Sequence, residues 1–183
     1  QMAADGSIRI PMSLYWIDGL SCGRLAIVER PRGGEWLAGE MIRWRAAGVD
    51  LVVSLLTADE AADLELANEA AACNVAGLDF VLHPISDRGL PENAASFAQL
   101  VSQVVAAMKS GQSVLVHCRM GIGRSSLLAA CVLGRLGNVD EDYFDRIRRA
   151  RGFDVPDTAE QAAWVRVWLA SEDNDFFLRS SKP

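Results

Sequence analysis

Ser113-Val114-Leu115-Val116-His117-Cys118-Arg119-Met120-Gly121-Ile122-Gly123-Arg124-Ser125 is the stretch on which the fold turns. Ser113–His117 is a compact apolar run, suited to a buried strand. It breaks abruptly into a loop holding two glycines. Beyond the loop, Ser125–Leu136 is strongly apolar and predicts a buried helix, stopped by Gly137. A strand, a glycine-rich loop and a helix in immediate succession are a parallel α/β signature. Such sheets collect ligands outside the carboxyl ends of their strands.

The residue types in the loop suit an anion. Gly121 and Gly123 are expected to take positive φ and let the backbone curl with its N–H groups inward. Those groups, with the first free amides of the helix, can converge on one phosphate. Arg124 adds a planar fork that bonds two oxygens at once. Cys118 falls at the floor of this cradle, where the dipoles that favour phosphate also favour a thiolate. Arg119, Met120, Gly121, Ile122, Gly123 and Arg124 are therefore the candidate substrate-binding residues. Cys118 is the candidate nucleophile, and Ser125 is placed to donate a hydrogen bond to its sulfur. A buried cysteine beside an ordinary helix cap would explain neither the glycines nor Arg124.

Cys-x5-Arg-Ser after an apolar strand ending in His resembles the signature of the protein tyrosine and dual-specificity phosphatases, matched here at His117, Cys118, Gly121, Gly123, Arg124 and Ser125. Upstream, Pro84-Ile85-Ser86-Asp87-Arg88-Gly89-Leu90-Pro91 is similar to the general-acid loop of the atypical dual-specificity and cyclin-kinase-associated phosphatases. The resemblance implies that Asp87 protonates the leaving group and later takes a proton from water; a turn residue is the plainer reading of Asp87. Asp79 is the rival, but it begins a strand. Downstream, Arg151-Gly152-Phe153-Asp154-Val155-Pro156 with Thr158 and Gln161 is similar to a family segment whose Gln orients the hydrolytic water. The resemblance runs from about Leu14 to Trp168. Its implied activity is hydrolysis of phosphate monoesters, foremost phosphotyrosine in a protein, through a cysteinyl phosphate and with no metal or organic cofactor. Arg119, Met120 and Ile122 differ from the Lys-Ala-x-Lys arrangement of phosphoinositide phosphatases, whose second basic residue meets extra phosphates, so the cradle suits a single phosphate. Two alternatives stand beside this: a phosphate-binding interaction module without turnover, and a phosphatase of a non-protein phosphate such as an RNA 5′ end or an inositol phosphate.

Outward from the loop, the pattern predicts one α/β domain over residues 1–183, its core at about 14–170, with a central, mainly parallel sheet flanked by helices. Leu14–Ile17 and Leu25–Val28 predict short strands around Asp18-Gly19. Gly34–Ala47 predicts a helix with Trp36, Leu37, Met41 and Trp44 on one face. Leu51–Leu55 predicts a buried strand. Thr57-Ala-Asp-Glu60 has capping-box spacing and opens a helix expected to reach Ala72. Asp79–His83 is the next strand. Pro91 is expected to start a helix ending at Lys109, before Gly111. Asn138 is expected to cap a basic helix through Arg149. A last helix spans Thr158–Ala170, with a frayed tail beyond Ser171.

The net charge of −6 opposes broad binding to nucleic acid or anionic membrane. No apolar run reaches a membrane span, and Gln1–Ile10 lacks a secretory leader, so the reading is soluble and cytoplasmic. Cys22, Cys73, Cys118 and Cys131 are dispersed, which suits neither zinc nor a disulfide framework. Cys73 and Cys131 read as core; the resemblance also allows Cys73 as a resolving thiol for Cys118. His83 reads as a strand-end residue and His117 as an organiser of the loop. Arg146, Arg148, Arg149 and Arg151 read as a solvated basic helix face, and the five tryptophans as mostly core.

Overall fold

The computed structural model describes residues 13–137 and 143–180, with side chains through 171. Five strands form its sheet: β1 (Tyr15–Trp16), β2 (Arg24–Val28), β3 (Leu51–Ser54), β4 (Asp79–Leu82) and β5 (Ser113–His117), in the order β1-β2-β5-β3-β4. β1 pairs antiparallel to β2, and every other pairing is parallel. This is the mainly parallel α/β sheet that the sequence predicts. β5 lies between β2 and β3, so all five of its residues are buried, which explains its unbroken apolar run. Asp50 pins its start: its carboxylate accepts from the Ser113 amide at 2.8 Å. That bond, helped by Arg45 and opposed by burial, holds the Asp50 carboxyl below the usual range.

Alternation along the strands divides the core. Ala26, Val28, Val52 and Leu115 face a layer made by α1 (Leu37–Ala46) and α3 (Glu69–Ala76), with Met41, Trp44 and Cys73 among its buried residues. Leu25, Ile27, Leu51, Val53, Val114 and Val116 face the other layer. There α4 (Ala94–Lys109), α5 (Arg124–Arg135), α6 (Tyr143–Arg151) and α7 (Ala159–Ser180) pack, with Phe97 edge-on to Trp164 and Trp168. The helices that follow β3 and β5 thus lie on opposite faces of adjacent parallel strands. Such a divergence opens a crevice at the strands' carboxyl ends.

Several boundaries differ from those expected. The helix opened by Thr57 is two helices, α2 (Ala58–Asp63) and α3, and not one reaching Ala72. Glu65 breaks it with φ +56°, and its carbonyl accepts from the Gly34 amide at 3.0 Å. The capping box itself is present. α4 starts at Ala94 rather than Pro91, because the Asn93 side chain caps it by accepting from the Ser96 amide at 2.9 Å. Gly34–Trp36 is a single 3-10 turn, which leaves Trp36 exposed beneath Arg32 and off the buried face of α1. α6 extends to Arg151, and Asn138 lies outside the described residues. α7 continues to Ser180, past the stop expected at Ala170.

Candidate active site

Three connections leave the carboxyl ends of β3, β4 and β5, and each delivers part of the site. The β5 connection is the loop 118–123. Cys118 follows the strand directly and is 2% exposed. The Arg119 carbonyl accepts from the Arg30 amide at 3.2 Å. The Met120 and Gly121 carbonyls accept from the Arg151 guanidinium at 3.0 and 3.1 Å. Three successive carbonyls are thus held by groups outside the loop. Because peptide units are planar and trans, the N–H groups of Met120, Gly121 and Ile122 point the opposite way, into the loop. An anion cradle of the kind expected from the glycines would use these amides.

The two glycines do different work. Gly121 has φ +66°, and a Cβ there would collide with the backbone of Val28 and Glu29. Gly123 has φ −83°, contrary to the positive angle expected, so its need is for space. A Cβ at Gly123 would press on the Asp157 carboxylate and lie 3.0 Å from Gln161 Oε1.

Arg124 opens α5 and is 1% exposed. Its Nη1 donates to Glu60 Oε1 at 2.6 Å and to the Ile85 carbonyl at 2.8 Å. Its Nη2 donates to Glu60 Oε2 at 2.9 Å and to Asp87 Oδ1 at 3.0 Å. Burial works against the Arg124 charge, yet the Glu60 bond and the charges of Cys118, Glu60 and Asp87 outweigh it and raise its pKa. Burial likewise opposes the Glu60 carboxylate, but Arg124 and the Thr57 amide bring its pKa below the ordinary value.

The β4 connection carries Asp87, whose side chain is half exposed, within a turn closed by Gly89 N–H to Ser86 O at 2.8 Å. Gln161, on α7, is fully buried. Its Nε2 donates to the Gly89 carbonyl at 3.1 Å, and its Oε1 accepts from the Thr158 amide at 3.3 Å. Gln161 therefore ties α7 to the loop that bears Asp87. Cys118, Arg124, Asp87 and Gln161 share one edge of the sheet. Ser125 Oγ is buried there without a hydrogen-bond partner. At the rim, Arg119 is partly exposed and Met120 is 58% exposed.

Sequence reading missed three members. Glu60 reads as the closing residue of a capping box; its position just past the end of β3 is the available signal. Arg151 reads as part of a solvated face, but it is buried, stacked over Tyr15 at 4.1 Å, and braces the loop from outside. Glu69 reads as an unremarked helix residue, yet its Oε1 lies 2.5 Å from His117 Nε2. Cys73 meets Met41 Sδ at 3.3 Å in the layer on the opposite face from the Cys118 core, and burial, then Glu69, pushes its thiol up to about 12. Such a thiol is inert, which supports a packing role. No group of three His, Cys, Asp or Glu among the described residues could hold a metal ion, and no described helix is long and apolar enough to cross a membrane.

A sequence model of the cyclin-dependent kinase inhibitor 3 family matches residues 39–141, from α1 across the loop 118–123 and α5. The chain belongs to that family. The human cyclin-dependent kinase inhibitor 3 is 36% identical over 81 residues, covering 43% of this chain and 38% of that protein. Mouse dual specificity protein phosphatase 2 is 32% identical over 74 residues, covering 40% of this chain and 23% of that protein. The chain thus matches less than half the length of these curated relatives. In three dimensions the likeness is broader. A kinase associated phosphatase whose catalytic cysteine had been replaced by serine superposes with a TM-score of 0.79 at 23% identity, covering 89% of this chain and 98% of that one. Cyclin-dependent kinase inhibitor 3 membership and the protein-tyrosine-phosphatase type of fold therefore agree.

Proposed function

We propose that this chain is a cysteine-dependent phosphatase acting on phosphorylated protein, foremost on phosphotyrosine. The observation that carries the reading is the joined cluster Cys118–Arg124–Asp87: a buried sulfur beneath inward amides, beside a buried guanidinium that also holds an exposed carboxyl group. In the first step the Cys118 thiolate attacks phosphorus, the P–O bond to the leaving group breaks, and protonated Asp87 gives its proton to the departing oxygen. In the second, water attacks the cysteinyl phosphate, Asp87 takes its proton, and the thiolate leaves, steadied by Ser125 Oγ–H. Arg124 and the amides hold the equatorial oxygens through both steps. The bidentate grip of Glu60 fixes the guanidinium plane for that task, and Gln161 sets the height of the Asp87 loop. Met120 at the rim, with Ile122 where phosphoinositide phosphatases have a second basic residue, fits one phosphate on a partly apolar leaving group.

The second reading is a phosphate-binding module without turnover. Both terminal nitrogens of Arg124 are bonded to Glu60, Ile85 and Asp87, so a phosphate that takes Nη2 displaces Asp87, the acid that turnover needs. The name of the relatives, inhibitors of a kinase, is also compatible with binding alone. Hydrolysis of para-nitrophenyl phosphate in EDTA, between about pH 5 and 8, separates the two. The enzyme reading expects turnover that vanishes in Cys118→Ser and falls in Asp87→Ala, with a phosphotyrosine peptide cleaved faster than a phosphoserine one. Folded wild-type protein that binds tungstate and turns nothing over establishes the binding module.

A further inference from the structure

Hydrolysis of a cysteinyl phosphate needs a water aimed at phosphorus, and the family resemblance gives that task to Gln161. Its surroundings give Gln161 other work. It is wholly buried, its Nε2 donates to the Gly89 carbonyl at 3.1 Å, and its Oε1 accepts from the Thr158 amide at 3.3 Å. The Gln161 amide donates in return to Thr158 Oγ1 at 3.1 Å, a reciprocal capping box at the start of α7. Both ends of the side-chain amide thus hold the Asp87 loop and the helix start. The residue before that box is Asp157, which is exposed. Among the described residues its carboxylate has no hydrogen-bond or ion-pair partner. Yet it lies against the loop: a Cβ on Gly123 would collide with Asp157 Oδ2. Gly123 is buried and is the last residue before Arg124. Two carboxyl groups therefore approach the loop from separate elements, Asp87 from the β4 connection through Arg124 Nη2, and Asp157 from the connection between α6 and α7 through Gly123.

We propose that Asp157 holds the attacking water of the second step. One O–H of the water donates to the Asp157 carboxylate and the other to Asp87, which leaves an oxygen lone pair for phosphorus. As the new O–P bond forms and the P–S bond breaks, the proton facing Asp87 passes to it. The proton facing Asp157 stays on the phosphate that is formed, and the bonding electron pair leaves with the Cys118 sulfur. Asp157 is open to solvent, so bulk water reaches it directly, whereas Gln161 is sealed from it. A carboxylate beside the loop also has a cost, since it repels the bound anion. The plainer role for Asp157 is that of an acidic residue favoured by the amides at the start of a helix. Glu160, in the first turn of α7 and likewise exposed, shares that role and is not among the groups nearest Gly123.

This assignment rests on the phosphatase reading, and the experiment keeps the two apart. Asp157→Asn preserves shape and removes the charge. It is expected to bind tungstate about fivefold more tightly, because the repelling carboxylate is gone. Its kcat for para-nitrophenyl phosphate should fall about tenfold, with a burst of para-nitrophenol of about one per active site as the cysteinyl phosphate accumulates. Every substrate then waits on the same intermediate, so kcat for a phosphotyrosine peptide should converge on the same value. Glu160→Gln removes an equal charge from the same helix start and should match wild type in tungstate affinity, kcat and burst. Absence of the burst in Asp157→Asn, or the same changes in Glu160→Gln, overturns the assignment and leaves the phosphatase reading standing. A wild type that turns nothing over sinks both together.

Discussion

At the scale of single residues, the site depends on which atoms are satisfied and which are crowded. Gly121 combines φ +66° with backbone atoms of Val28 and Glu29 where a Cβ would stand. Gly121→Ala should therefore lose more than the ~1–2 kcal/mol of a left-handed alanine, and lose tungstate binding with it, measured by urea unfolding and titration. Ser126 is the opposite case. Its hydroxyl is buried with no hydrogen-bond partner, so Ser126→Ala should raise stability by about 1 kcal/mol at unchanged kcat. Glu60→Gln weakens a buried pair but leaves Arg124 its bonds to Ile85 and Asp87. A cost of about 3 kcal/mol, at the low end for such pairs, is expected. Its pH dependence has a definite sign. The Glu60 carboxyl is held below its ordinary 4.5, so wild type keeps its full advantage above that pH and loses it as pH falls through the lower folded value. Unfolding curves of the two proteins should converge in acid. Cys118, Arg124 and the Asp87 loop were legible in the sequence, because residue type and spacing carry the signal. Glu60, Glu69 and Arg151 were not. Each looks like an ordinary helix charge until the fold buries it against the loop.

At the scale of elements, the site is a matter of which connection touches which. α7 reaches the Asp87 loop through Gln161, whose Nε2 bonds the Gly89 carbonyl. Gln161→Ala should let that loop shift and lower kcat about tenfold with KM little changed. Burst kinetics distinguish this from a role in placing water. Slowing only hydrolysis of the intermediate would produce a burst of para-nitrophenol, whereas a misplaced acid loop slows the first step and gives none. The strands and the α5 helix were readable because burial on both faces forces continuous apolar runs. The break between α2 and α3 was not readable, since Glu65 carries no sign of its left-handed backbone. That conformation is selected by the Glu65 carbonyl reaching Gly34, a tertiary contact. The start of α4 was misplaced for a local reason: Pro91 and Asn93 both suit a helix start, and the side-chain cap at Asn93 wins.

At the scale of the whole molecule, two fields of opposite sign would meet the proposed phosphopeptide substrate. The chain carries a net charge of −6, so an anionic phosphopeptide approaching from a distance is repelled. Inside the crevice the buried Arg124 guanidinium and the inward amides attract the same phosphate over a few ångströms, and mobile ions scarcely reach them. Salt screens the first field far more than the second, because the Debye length shrinks from about 30 Å at 0.01 M to about 10 Å at 0.1 M. For an acidic phosphotyrosine peptide, kcat/KM should rise over that range, with the gain in KM. For a peptide of equal length with basic flanks it should fall, since the long-range term then favours encounter. An acidic peptide whose kcat/KM falls with salt would mean that exposed cations at the rim, Arg119 foremost, outweigh the global charge. Arg119→Gln should then reverse the salt dependence, since the repulsive global charge is left.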